Sequence, residues 1–557
     1  MGKSQKDVIN KYGDFQAYSF DIFDTTLMRA TGSPEGIFTI MQQRIQNDAA
    51  YADTPRCLSC DFARIRHNYE GYSVKNLPDN RGETTLEDIY VQIALNYGLT
   101  QAQTEALKQL EMETECAYSI ALTDTIEEIK ELVSLGKKVL LISDIYLPLA
   151  CIKSMLLKAD RIFARLPVYV SCEWQKTKSK GDLFTLVQQK ERLTPSSWIH
   201  IGDNEESDYE IPKSLGLHSF HKQFVTETYF EKFIYSELKY NVWAQLFVGA
   251  SKAARLKDKQ SFMYRVGCNY GGPVLTAFAD WILEQCRLRH IDTLYFIARD
   301  GYIIKKIADI MIRHYRLPVK THYIYGSRQT WYVTKQQDKE FGLLKKYLLQ
   351  EIPDGSENFA FVDSFGSGGT LDNLMEIMQS HWKFPVTAFY IYVDNKNKHG
   401  DTGSVVTKVD CMHFLDIWDN IELFCKAPEG QCIAYEEVDD KIVPICEEKE
   451  GELIRALGFD DYLSGILTFV SCFIATEPDW RYNKCSMQDV LFWYIKRINE
   501  FPDDDLLRFL LKFPRYEDKK FKYSKLGRIE RKAELEIKKL KYLEKVIEKK
   551  KLFNLLK

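Results

Sequence analysis

The chain has 557 residues, 45% of them hydrophobic and 28% charged, a length too great for one core and a composition ordinary for globular domains, of which about three or four are expected. A net charge of −4 gives the chain as a whole no attraction for phosphate backbones, which disfavours nucleic acid as a partner. No apolar run is expected to reach the ~18 to 20 residues that cross a bilayer, and the polar N-terminus lacks the apolar centre of a secretory signal, so the expected location is the cytoplasm.

The first strand is expected over Ala17 to Phe23, where the aromatic run YSFDIFDTT meets Asp21, Asp24 and Thr25. A long, mostly helical stretch from 34 to 134 follows. Cys57 and Cys60 within it have half the spacing of a zinc site, but no second pair completes it, and the 13 cysteines read as reduced thiols. KKVLLISD, PVYVS and SSWIHIGD then read as three more buried strands, with a helix near Leu149 to Lys158. Strands separated by helices predict a parallel α/β sheet, and such sheets bind ligands at the carboxyl ends of their strands.

Four strand ends therefore matter: Asp21, Ser143 in ISD, Lys180 in SKGDLF, and Asp203 with Asp208 in GDNEESD. A carboxylate can attack phosphorus, and a hydroxyl and an ammonium can hold the oxygens of the transferred group. Three aspartates at one edge call for a hard cation such as Mg²⁺.

In order and context, DIFDT, LLISD, SKGDLF and GDNEESD resemble the four motifs of the haloacid dehalogenase-like hydrolase superfamily, over roughly residues 14 to 230. The resemblance implies a Rossmann-like sheet with a helical cap inserted after the first motif. It implies Asp21 as nucleophile and metal ligand, Thr25 as the motif threonine, and Ser143 and Lys180 as holders of the phosphoryl group. Asp203 and Asp208 would serve Mg²⁺, and the substrate would be a small phosphorylated metabolite. The chain departs from the phosphatase members two residues after the nucleophile. There they carry an acid-base aspartate and this chain has Phe23, which cannot transfer a proton. Three readings stay open: Asp24 substitutes, the reaction needs no such acid, as in dehalogenase-type members, or the domain binds its ligand with little or no turnover.

Domains are expected at 1–235 (cap about 34–134), 236–405, 406–511 and 512–557. The second is another α/β domain, from the strands TLYFIARDG, THYIYGSRQ, NFAFVDSFGSGGT and VTAFYIYVD, and the third is mainly helical. The glycine-rich loop after Phe361 looks like a phosphoribosyl-pyrophosphate loop, one residue short. It makes Asp363, Gly366, Ser367, Gly368, Gly369 and Thr370 candidates for an anionic ligand, together with Arg299, Asp300 and Arg328 at neighbouring strand ends. A tight turn and an ion-paired Arg299 explain the same residues without a ligand. The pairing of this first motif with a later YFIARDG segment also resembles large two-part proteins of bacterial surface-polysaccharide clusters.

From Lys512 onward 17 Lys and Arg face 7 Asp and Glu, and apolar residues recur every three or four positions from Ile529 to Ile547. This predicts a basic amphipathic helix, suited either to the inner membrane face or to a protein partner.

Overall fold

The computed structural model describes residues 7–78, 81–223, 227–257, 261–331, 339–366, 369–383, 386–393, 407–413, 424–476, 487–500, 503–512, 516–517 and 520–521. The chain divides into two compact units, 1–256 with 476–483, and 257–475 with 484–557.

The first unit is built on five parallel strands in the order β5 (Val168–Val170), β4 (Lys138–Ser143), β1 (Ala17–Phe20), β6 (Trp198–Gly202), β7 (His218–His221). Both faces of this sheet are covered at its centre, so β4, β1 and β6 are mostly apolar and buried on both sides. Tyr18, Phe20, Val139, Leu141, Ile199 and Ile201 enter one core, and Ala17, Leu140, Ile142 and Trp198 enter the other. The α/β, Rossmann-like class is as expected.

The antiparallel pair β2 (Leu27–Arg29) and β3 (Ser119–Ala121) brackets the inserted helices Glu35–Asn47, Phe62–Lys75, Leu86–Tyr97 and Gln101–Ala117. Two of these helices begin on full capping boxes, at Thr85 and at Thr100, where side chain and backbone satisfy each other's first-turn donors. The next helix, Thr123–Ser134, packs on β4 and so belongs to the sheet layer.

The first unit runs past the expected boundary at 235, because helix Val242–Arg255 is fastened to the segment after β2. The backbone NH of Gly32 donates to the Gln245 carbonyl at 2.8 Å, and that of Ser33 donates to the Gln245 side chain at 2.9 Å. A Cβ on Gly249 would stand 1.8 Å from the Ala30 carbonyl oxygen.

The second unit holds a parallel sheet of β11 (Phe365–Gly366), β12 (Val386–Val393), β10 (Phe359–Val362), β8 (Thr293–Ile297) and β9 (Lys320–Ile324), with β13 (Thr407–His413) beside β12. The region after 406 is mainly helical, as expected, among the described residues. It contains β13 and an antiparallel ribbon, β14 (Cys432–Val438) with β15 (Lys441–Cys446).

Helix Phe459–Thr476 is long and apolar enough to cross a membrane by length and composition, which amends the expectation that no run reaches that length. Its Tyr462, Gly465, Ile466, Phe469 and Phe473 are buried. A Cβ on Gly465 would lie 2.2 Å from the Tyr264 carbonyl oxygen, so the helix packs on backbone within its unit. The basic tail beyond 521 lies outside the described residues.

Candidate active site

Asp21 follows β1 directly, and its NH donates to the Ile201 carbonyl at 2.8 Å. The sheet bond thus holds the backbone at the point where the side chain leaves the strand. The hydroxyl of Thr26 closes the turn on the Asp21 carbonyl at 2.7 Å. Ser143 ends β4 beside it and is buried.

The loop after β5 supplies the cation, and here the sequence expectation needs correction: the buried ammonium is Lys178, not Lys180. Its Nζ donates to Asp21 Oδ1 and, at 2.5 Å, to Asp208 Oδ1. Lys180 is exposed, and its Nζ donates to the Gly82 carbonyl at 3.2 Å. The choice between the two lysines is made by Asp144. Its carboxylate accepts the backbone NH of Lys178 at 2.7 and 2.9 Å and that of Ser179 at 3.2 Å, which pins position 178 over the strand end and leaves 180 on the outer side of the turn.

Beyond β6, Asn204 caps a wide helical turn, accepting the NH groups of Glu206 and Ser207 at 3.0 and 2.9 Å. The turn carries Asp208 back against Gly202, where a Cβ would lie 2.4 Å from the Asp208 carboxyl carbon. Glycine there is what lets the two groups meet. Asp208 also accepts the Asn204 NH at 3.1 Å. Asp203, half-buried, accepts the Thr25 hydroxyl at 3.2 Å.

Behind the site runs a buried relay that sequence reasoning missed. Ser19 and His200 are register partners on β1 and β6. The Trp198 indole NH, which can only donate, points to Ser19 Oγ at 2.8 Å. The Ser19 hydroxyl is then free to donate to His200 Nδ1 at 2.8 Å. This leaves the ring proton on Nε2, which faces Asp208 Oδ1 at 3.2 Å. Burial lowers the His200 pKa, which favours the neutral ring as a single directed donor.

The charges divide accordingly. Asp208, with donors on several sides, is held well below the usual carboxylate range by Lys178 and His200. Asp21 is fully buried and is pushed up by burial and by the neighbouring carboxylates. Asp203 is pushed up to about 6 by burial, Asp24 and Asp208. Lys178, between its carboxylates, is held in the charged form.

Asp21, Asp203 and Asp208 each offer an oxygen, and these atoms lie within 4.8 Å of one another. Three carboxylates of this kind, one of them partly open, are the hard oxygen donors that Mg²⁺ takes, and a divalent cation would relieve the crowding of negative charge.

Phe23 is half-buried, and the Arg29 guanidinium lies 4.2 Å from its ring centroid. Arg29 is in turn held by buried Glu115, with Nε–Oε2 at 2.9 Å and Nη2–Oε1 at 3.0 Å. Asp24 is exposed and left-handed, φ 54°, and its charge reaches Asp203 and Arg29.

In the second unit Arg299 and Asp300 follow β8 as expected, but Arg299 is paired with Glu450 and Asp300 accepts the hydroxyl of Ser364. Asp363 follows β10 and accepts the Ser364 NH at 2.8 Å. Arg328 is exposed at the start of the short helix Arg328–Trp331. Gly366 lies in β11, and Gly369 and Thr370 open helix Gly369–Met378, while Ser367 and Gly368 lie outside the described residues. The expected convergence of two arginines on the glycine loop is replaced at Arg299 by its bond to Glu450, a partner that stands 151 residues away.

No protein-family model matches the chain, and no curated protein matches it. Among solved structures, a dehalogenase is 13% identical with a TM-score of 0.27, over 39% of this chain and 89% of its own. A HAD family enzyme of Bacteroides thetaiotaomicron is 13% identical with a TM-score of 0.27, over 40% and 98%. A HAD-hydrolase of Bacillus subtilis bound to magnesium is 12% identical with a TM-score of 0.26, over 37% and 86%. Likeness at this level leaves the chemistry to be argued from the side chains themselves.

Proposed function

We propose that the first unit is a Mg²⁺-dependent hydrolase or phosphotransferase of the haloacid dehalogenase-like type, acting through Asp21 on a small phosphorylated metabolite such as a sugar phosphate or nucleotide derivative. The observation that carries this reading is the single ammonium of Lys178 shared by Asp21 and Asp208, with Asp203 within ligand reach of both.

In this reading a carboxylate oxygen of Asp21 attacks phosphorus, and the bond to the leaving oxygen breaks. Water then hydrolyses the aspartyl phosphate and restores the carboxylate. Lys178 offsets charge on the nucleophile and the transferred group, and the Ser143 hydroxyl at the end of β4 serves a phosphoryl oxygen. A cation held by Asp21, Asp203 and Asp208 would supply Lewis-acid stabilisation of the phosphoryl oxygens.

Phe23 sets the speed. Its ring lies against Arg29 and offers no proton to a leaving group, which removes a contribution of about 10²- to 10⁴-fold. Turnover is therefore slow, with Asp24 the nearest carboxylate on the same motif to assist. The same observation favours a second reading, in which the domain holds a phosphorylated ligand with little turnover. A role in surface-polysaccharide assembly, and docking of the tail to membrane or protein, rest on sequence resemblance and pattern alone.

A panel of phosphate esters assayed with Mg²⁺ tests the first reading. It predicts slow phosphate release that is lost in Asp21→Asn. No release from any ester, combined with normal Mg²⁺ uptake, would leave the ligand-binding reading standing in its place.

A further inference from the structure

The ribbon of the second unit turns at Asp439 and Asp440, both left-handed with φ 48° and 61°. That is the backbone a two-residue hairpin turn requires, and it fixes the register of the strands that follow. Val438 faces Lys441, Glu436 faces Val443 and Ala434 faces Ile445. Continued without interruption, this register would set Ile433 against Cys446. Instead an irregularity between Cys432 and Ala434 slips the strand by one residue, and Cys432 faces Cys446. Directly opposed residues of an antiparallel pair have Cα atoms about 4.5 to 5.5 Å apart, inside the span a disulfide bridges. The two thiols are free, and the Cys432 S–H donates to the Ala434 carbonyl at 3.6 Å.

We propose that Cys432 and Cys446 form a reversible disulfide on exposure to a hydroperoxide, independently of any chemistry at Asp21. The two partners are not equivalent. Cys446 is partly exposed, whereas Cys432 is buried, so the oxidant reaches Cys446 first. The proximity of Cys432 lowers the Cys446 pKa, while that of Cys432 is raised by its neighbour and by burial. This makes Cys446 the thiolate partner, the form that reacts with peroxide.

With hydrogen peroxide as the hydroperoxide, the Cys446 thiolate attacks one oxygen, the O–O bond breaks, a sulfenic acid forms and hydroxide leaves to take up a proton. The Cys432 thiol then gives up its proton, and its sulfur attacks the Cys446 sulfur. The S–O bond breaks and water departs. The two thiols together lose two electrons, and one peroxide is reduced to two waters.

The bond would tie the ribbon at a point with structural reach. The Cys432 carbonyl accepts the Ser327 hydroxyl at 2.7 Å, and the neighbouring Gln431 NH donates to Glu450 at 2.9 Å, the carboxylate that holds Arg299.

The test is peptide mass mapping of the folded, full-length chain after hydrogen peroxide, with free thiols alkylated by N-ethylmaleimide. The expected result is a cross-linked pair of peptides carrying Cys432 and Cys446, lighter by two hydrogens and restored by dithiothreitol. Cys432→Ser should abolish the cross-link and leave a dimedone-reactive sulfenic acid on Cys446. Equal alkylation of both thiols before and after peroxide would overturn the proposal, as would a dimedone adduct on Cys446 in the unmutated chain with no cross-link.

Discussion

At the scale of single residues, the site turns on which lysine enters it. Lys178 and Lys180 are two positions apart in one loop, yet one is buried between carboxylates and the other is exposed on a carbonyl. Replacing Lys178 by Met would leave Asp21 and Asp208 buried without their shared cation, and breaking a buried pair in this way typically costs about 3 to 5 kcal/mol. A lowered thermal transition of the first unit is expected for Lys178→Met, measured by calorimetry, together with loss of any phosphatase activity. Lys180→Met should move neither. The distinction was not legible in the sequence, because TKSKG offers both lysines and only the bond from Asp144 to the backbone of Lys178 selects between them. His200 was hidden for a related reason. It reads as one polar residue in an apolar strand until the register of β1 and β6 sets it beside Ser19.

At the scale of elements, strand ends were readable and the wrapping around them was not. Ala17–Phe20, Lys138–Ser143, Val168–Val170 and Trp198–Gly202 all lie where apolar runs stop at polar residues, because a sheet covered on both faces writes itself as continuous apolar segments. Strand β7 was missed, since HSFH is an edge strand with polar positions, an exposed His218 and otherwise half-buried side chains. The first unit reaches 256 because helix Val242–Arg255 is attached to Gly32 and Ser33, a long-range contact with no local signature. The turn after β6 makes a testable demand on one position. Gly202→Ala would press a Cβ to 2.4 Å from the Asp208 carboxyl, well inside van der Waals contact. Overpacking of this kind costs about 1 to 3 kcal/mol, so chemical denaturation should show the loss, and isothermal titration should show weaker Mg²⁺ binding as Asp208 is displaced.

At the scale of the whole molecule, two parallel sheets are folded from one chain, each with polar residues at its strand ends, and they are chemically unlike. In the first, two carboxylates share one ammonium, and with a third they can take a cation. In the second, Arg299 is paired with Glu450, and Asp300 accepts the hydroxyl of Ser364. The tail, with its surplus of basic residues, stands apart electrostatically from an otherwise acidic chain.

Whether Asp21 accepts a phosphoryl group, as proposed, can be tested without knowing the substrate. Beryllofluoride mimics a phosphoryl group on an aspartate, so calorimetric titration of the full chain with beryllofluoride and Mg²⁺ addresses the nucleophile directly. Mg²⁺-dependent binding that persists in Lys180→Met and is lost in Asp21→Asn is expected. Binding that survives Asp21→Asn, or no binding by the unmutated chain, would contradict it.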